Sequence, residues 1–242
     1  HTTWITGQPS FVWLYDQQSG IVKKYNPTVF ENRTIRQVAE DKQGNAWFGM
    51  HGSGVVKWSK QKASDRFEDG FYKISGIPKT LIIHIDVDSK GYVWICTATH
   101  GVYKINPVND SIIEHITDKG TGQKRLMTNS VAVAFEYDDS TMIFISGGLN
   151  IYHLNSNTIE FMGASHGLPS EMAVAMQKDR KGHLWVSFVD GISRINLQMK
   201  TCINYNRNDG ISNDNFDVSA TAQLKDGRIL FIFSRYTGTS DN

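Results

Sequence analysis

The chain has little of several things. Its 242 residues include two cysteines, Cys96 and Cys202, too few for a disulfide framework. Cys96 stands two residues after Trp94 in a strand-like run and reads as a small buried hydrophobe. The formal net charge is +1, so no basic excess points to nucleic acid and no acidic tail is present. No run of about 18 apolar residues occurs, which excludes a transmembrane helix by hydropathy. No signal peptide is seen. The chain opens at His1 in what reads as the second strand of a repeat and closes at Asn242 partway through another, so a fragment of a longer protein is expected. The eight histidines, His1, His51, His84, His100, His115, His153, His166 and His183, form no H-x-H, H-E-x-x-H or Cys/His cluster, and no metal or cofactor is expected. G-x-S-x-G, P-loop and G-x-G-x-x-G patterns are also lacking, and no helical period appears between turn signals.

One phrase is abundant instead. "DRKGHLWVSFVDGISRIN" from Asp179 recurs as "DKQGNAWFGMHGSGVVKWS" from Asp41 and "DSKGYVWICTATHGVYKIN" from Asp88. Degraded copies are "DDSTMIFISGGLNIYHLN" from Asp138, "KDGRILFIFSRYTG" from Lys225 and the N-terminal "WITGQPSFVWLYD". The marker position is Trp4, Trp47, Trp94, Phe144, Trp185 and Leu230, with gaps of 43, 47, 50, 41 and 45 residues. A pitch of about 40–50 residues is that of one four-stranded propeller blade.

Each copy divides into four parts. An apolar stretch such as "LIIHIDVD" or "MAVAMQKD" predicts an innermost strand buried on both faces. The D-x-x-G turn follows. Asp41, Asp88 and Asp179 cap it, and Gly44, Gly91 and Gly182 supply the positive φ of a hairpin. The second strand carries the marker, whose large apolar area suits packing of one blade on the next. The third strand starts after Gly54, Gly101, Gly191 and Gly238, with Asn150 expected in the left-handed position of the degraded copy. The fourth strand is less regular. The sequence therefore predicts an all-β propeller made of four-stranded antiparallel blades. A partial blade is expected over 1–30, blades over 35–76, 81–118, 130–163 and 172–206, and a partial last blade over 216–242. Lys57, Lys104, His153 and Arg194 fall at one position of the third strand and are expected as solvated heads on apolar stems.

The D-x-x-G-x-x-W-x-x-T…G-[LIV] phrase, fullest in "DSKGYVWICTATHGVYKIN", resembles the two-component regulator propeller repeat. That repeat fills the periplasmic sensor region of Bacteroides-type hybrid two-component systems. "NDNFDVSATAQLKDGRILFIF" is similar to the last blade of that family, although "FSRYTG" replaces its usual Gly-Gly pair. The resemblance implies a periplasmic, non-enzymatic ligand-sensing segment of an inner-membrane sensor, recognising a glycan or oligosaccharide. It also implies a histidine kinase parent with a neighbouring propeller region and an immunoglobulin-like domain, acting as a homodimer. A polysaccharide lyase or glycosidase on the same fold, or a protein-binding scaffold, remains the alternative, because a fold does not settle a function.

In a four-stranded meander the loops after strands two and four share one end, and loops carry binding residues. The polar residues expected there for sugar hydroxyls are His51, His100, Arg125, Asn129, His166, Asp190, Arg207, Asn213, Arg235 and Tyr236. Asp118 to Asn129 is the longest and most basic of these loops, and extra loop length is where function tends to sit.

Overall fold

The structure, a computed structural model, describes residues 2–8, 10–189, 191–211 and 216–233. Alternating or continuous apolar runs bounded by Asp, Asn and Gly leave the backbone one economical way to pair, the antiparallel meander. The first sheet has three strands, β1 (Thr2–Gly7), β2 (Phe11–Asp16) and β3 (Val22–Tyr25), with β1 at its edge. Four four-stranded sheets follow. They are β4 (Ile35–Glu40), β5 (Ala46–Met50), β6 (Val55–Trp58) and β7 (Phe71–Lys73); then β8 (Ile82–Val87), β9 (Val93–Thr97), β10 (Val102–Ile105) and β11 (Ile112–Ile116). The next two are β12 (Val133–Asp138), β13 (Thr141–Ile145), β14 (Leu149–His153) and β15 (Thr158–Met162); then β16 (Ala173–Lys178), β17 (Leu184–Phe188), β18 (Gly191–Asn196) and β19 (Thr201–Tyr205). A two-stranded sheet, β20 (Phe216–Gln223) with β21 (Ile229–Phe233), ends the described chain.

The contacts group into two compact units, His1–Gly120 with Thr128–Ala134, and Thr121–Met127 with Phe135–Asn242. In the first unit two cores stack sheet on sheet. Trp4 and Val12 of the first sheet meet Phe48, Met50, Val56, Trp58 and Phe71 of the second. Trp47 and Val55 on the reverse of the second sheet meet Ile82, Ile85, Val93, Ile95, Tyr103 and Ile105 of the third. The marker thus faces the next sheet, and the residue after it faces the previous one, as a period of two requires.

Three expectations are corrected. The innermost strands are not buried on both faces: β4, β8, β12 and β16 mix buried with part-exposed or exposed positions, whereas the marker strands β5, β9 and β13 are buried at every residue. A second strand has a hydrogen-bonded neighbour at each edge, while a first strand has one open edge. Asn150 is not left-handed either. Gly148 takes that role at φ +113, where a Cβ would stand 2.6 Å from the Phe161 ring. In this sheet the marker lies six residues before its third-strand partner rather than ten, so Phe144 pairs with Asn150 where Trp47 pairs with Lys57 and Trp94 with Lys104. His153 pairs with Thr141 instead and does not belong to the basic column.

Candidate functional site

The recurring phrase builds a local hub. In three sheets one Asp oxygen accepts the turn amides and the other accepts the indole N–H six residues on: Asp41 from Trp47 at 2.8 Å, Asp88 from Trp94 at 2.8 Å and Asp179 from Trp185 at 2.9 Å. The turn glycines carry the positive φ expected of them, +78, +90 and +84 at Gly44, Gly91 and Gly182. A basic head then stands over each indole, Lys57 at 4.7 Å, Lys104 at 4.9 Å and Arg194 at 6.0 Å from the ring centroid. The expectation of solvated heads fails most clearly at Lys57, which is 3% exposed. It pairs with Asp110 at 2.7 Å, and Tyr72 donates to the other Asp110 oxygen at 2.8 Å. Burial, and then the Asp110 carboxylate, push the Tyr72 phenol up. A cavity of about 580 Å³ surrounds this group at the hairpin-turn end, but its buried charges already satisfy one another. The Lys57–Asp110 pair and the Tyr72 hydroxyl tie the second sheet to the third.

At the other end of the first unit the loops after second and fourth strands are knitted to one another. His51 bridges Leu81 through the backbone, Gly54 N–H reaches Thr80 O, and Thr80 and Thr99 hydroxyls meet at 3.0 Å. Glu31, left-handed at φ +53, takes Ser53 Oγ at 2.7 Å and the Lys73 ammonium, with Lys79 at 3.6 Å. The Lys73 and Ser53 hydrogen bonds hold its carboxyl down at about 2. His51 presents an exposed imidazole. His100 has Nδ1 at 2.8 Å from Thr99 Oγ1, and its carbonyl accepts from His115 at 2.7 Å. Asn129 exchanges two hydrogen bonds with Asp118, 2.8 and 3.0 Å, and its carbonyl accepts the Gly101 N–H at 2.9 Å. It therefore closes the long loop.

In the second unit that long loop does not stand on the end of the sheet. Residues 121–127 run along the outer strand β15, where Ile159 N–H donates to Gln123 O at 2.8 Å. Asn150, fully buried, accepts Met127 N–H at 2.9 Å and donates to Ser146 O at 2.8 Å. Loop and strand enclose an open groove of about 530 Å³ lined by Gln123, Arg125, Asn150, His153, Thr158 and Glu160, among others. Arg125 is exposed, with no hydrogen bond or ion pair among the described residues. Glu160 holds Lys200 and lies 3.7 Å from His153 Nε2. The Lys200 contact keeps the Glu160 carboxyl below its usual range. The groove thus offers a guanidinium, an amide, a hydroxyl, an imidazole and a carboxylate side by side. Donor and acceptor variety of this kind matches a polyhydroxylated molecule.

His166 and Arg207 occupy short 3-10 turns, Ala164–His166 and Arg207–Asp209. His166 Nδ1 accepts from Gly163 N–H at 3.3 Å, and Arg207 follows the capping Asn206. Asp190, Asn213, Arg235, Tyr236 and Gly238 lie outside the described residues. Of the expected site residues, only Arg125 lines the groove. Gln123, Thr158 and Glu160 were missed, since nothing in the repeat phrase announces a loop pairing with an outer strand. Among the described residues no three His, Cys, Asp or Glu side chains gather as a metal site, and no helix is long and apolar enough to cross a membrane.

No family model matches the chain. Histidine kinase P4 of Formosa agariphila is 19% identical over 245 residues, covering 94% of this chain and 17% of that protein. The extracellular domain of the putative hybrid two-component system BT3049 from B. thetaiotaomicron superposes with TM-score 0.73 at 21% identity, over 95% of this chain and 31% of that one. The WD40 β-propeller domain of Doa1 superposes with TM-score 0.64 at 10% identity, over 96% of this chain and 72% of that one. The chain therefore spans about a third of the BT3049 domain and about a sixth of the kinase. The all-β propeller fold stands, and so does the resemblance to the sensor regions of Bacteroides-type hybrid two-component systems.

Proposed function

We propose that this chain is a ligand-sensing propeller segment of a two-component sensor, held outside the inner membrane, and that it recognises an oligosaccharide in the groove between residues 121–127 and β15. The likeness to a histidine kinase and to the extracellular domain of a hybrid sensor supports the sensing role. The groove carries the ligand reading, because it holds the exposed Arg125 guanidinium beside the polar side chains of Gln123, Thr158 and Glu160. The segment does no chemistry in this reading. Binding biases one arrangement of a homodimeric parent over another, through a neighbouring propeller and an immunoglobulin-like domain, since a ligand shifts an equilibrium only by its differential affinity.

A thermal-shift screen of the longer ectodomain against neutral and acidic oligosaccharides tests this. A ligand at 100 times its dissociation constant stabilises by about 2.7 kcal/mol. The expected result is a shift without turnover that Arg125→Ala removes while leaving the unliganded melting temperature unchanged. Turnover would make the segment an enzyme. A shift that survives Arg125→Ala would move the site elsewhere, and no shift with any sugar would end the ligand reading.

A further inference from the structure

The connection between third and fourth strands is where the second sheet departs from its repeats. It runs over twelve residues, 59–70, between β6 and β7, against six, 106–111, between β10 and β11, and four each, 154–157 and 197–200, in the two sheets that follow. Extra loop length is where binding groups tend to be carried. The added residues are not slack. Lys60 N–H donates to Asn45 Oδ1 at 3.0 Å, and the Asn45 amide is itself held by the two Asp41 oxygens at 3.1 and 2.9 Å. Lys62 N–H reaches Ser59 Oγ at 3.4 Å, Ala63 N–H donates to Ser59 O at 3.0 Å, and Ser59 N–H donates to Gly70 O at 2.9 Å. The Trp58 indole N–H closes the loop on Phe67 O at 2.9 Å. The Asp41 hub thus sets the backbone that carries Lys60 and Lys62.

Both lysines line the cavity of about 580 Å³ beside Lys57 and Asp110, a volume within the range of small-molecule sites. Asp110 is the only carboxylate among the described residues that line it, and both of its oxygens are taken, one by Lys57 and the other by the Tyr72 hydroxyl. The exposed groups are of the opposite kind. The Lys60 ammonium has no ion pair or hydrogen bond among the described residues. The Lys62 ammonium stands 3.4 Å from the Tyr72 ring centroid, and a ring face holds an ammonium in place without neutralising it. The amides of Gln43 and Gln61 add neutral N–H donors along the same wall. Two charges of one sign with amide donors beside them suit an oxyanion, and no free carboxylate is left to hold a cation.

We propose that this cavity binds a small tetrahedral oxyanion, phosphate or sulfate, free or as the ester of a small molecule, with Lys60 and Lys62 as its charged contacts. The cavity belongs to the first unit and shares no residue with the groove beside β15, so the proposal stands apart from the ligand reading.

Isothermal titration calorimetry of the longer ectodomain at constant ionic strength tests it, with sodium phosphate, sodium sulfate and glucose 6-phosphate as the probes. The expected result is a saturable one-site isotherm. Lys60→Gln and Lys62→Gln should each weaken it about tenfold, the effect of losing one charge-assisted hydrogen bond. Both side chains are exposed, so the unliganded melting temperature should not move. Lys60→Arg, which keeps the charge, should keep the binding, and so should Arg125→Ala in the separate groove. Tighter binding of glucose 6-phosphate than of phosphate identifies an ester as the ligand, and equal or weaker binding identifies the free ion. Heat that does not saturate with any probe, or an affinity that both glutamine variants retain, would overturn the proposal.

Discussion

The third and fourth four-stranded sheets, led by β12 and β16, are neighbours in sequence, and the sheet led by β8 precedes them; the β8 and β12 sheets solve one packing problem in two ways. In the β8 sheet Asp88 ties the Trp94 indole at 2.8 Å, and Lys104 covers the ring from the paired position. In the β12 sheet Asp138 keeps the six-residue spacing but serves only Ser140 and Thr141, because the marker is Phe144, which offers no N–H. The position of Lys104 is taken by Asn150, which turns its amide to a loop backbone instead of an aromatic face. The β8 sheet spends its polar groups on itself, and the β12 sheet uses them to hold an added segment. The departure from the repeat and the groove are thus the same event.

Substitutions at Trp94 and Asn150, and then a change of pH, would break or sharpen this contrast. The largest effect is expected for Trp94→Ala, at about 3–5 kcal/mol by denaturant unfolding, since a fully buried Trp leaves a cavity. Trp94→Phe, which imitates the β12 sheet, should cost about 1–3 kcal/mol for the lost indole hydrogen bond to buried Asp88. If Trp94→Phe costs almost nothing while Trp94→Ala keeps its full cost, the hub is packing alone. Asn150→Ala comes next. It leaves the Met127 N–H without its acceptor, at about 1–3 kcal/mol, and should free residues 121–127. Faster tryptic cleavage after Lys124 and Arg125 is the readout, and an unchanged rate would deny Asn150 its role.

The smallest effect is on acid stability. Glu31 is held at about 2 against an ordinary 4.5. A depressed carboxyl contributes stability that is fully present above about pH 4.5 and is lost as pH falls towards 2. Lys73→Met should flatten that part of a melting-temperature curve. His84 adds a second slope of the same sign. Burial holds its imidazole at about 4, below the ordinary 6.5, and its Nδ1 is sealed without a partner. The unfolded chain takes up that proton first, so stability falls from pH 6.5 towards 4, and His84→Phe should remove this slope.

What could be read from the sequence follows from distance along the chain. The Asp–Gly turn and the marker sit within six residues of each other, so the strands of the regular sheets were legible from the phrase itself. The basic column was misjudged because the group that buries Lys57, Asp110, lies 53 residues further on. The fourth copy was misaligned because Gly147 and Gly148 shorten a turn without altering the look of the phrase. The groove was invisible for a related reason: Gln123 and Ile159 meet only once a loop has folded back on a strand.

The Asp–Trp hubs have a kinetic consequence. Each closes over six residues and sits inside a hairpin, so it can form on the microsecond scale of hairpin closure, before any sheet has found its neighbour. A chain assembled from such short-range contacts has low contact order locally and pays the entropy of long loops only when sheets stack. The sheets led by β4, β8 and β16 need not wait for one another to begin folding, and nucleation can start at any of the three hubs and spread in either direction.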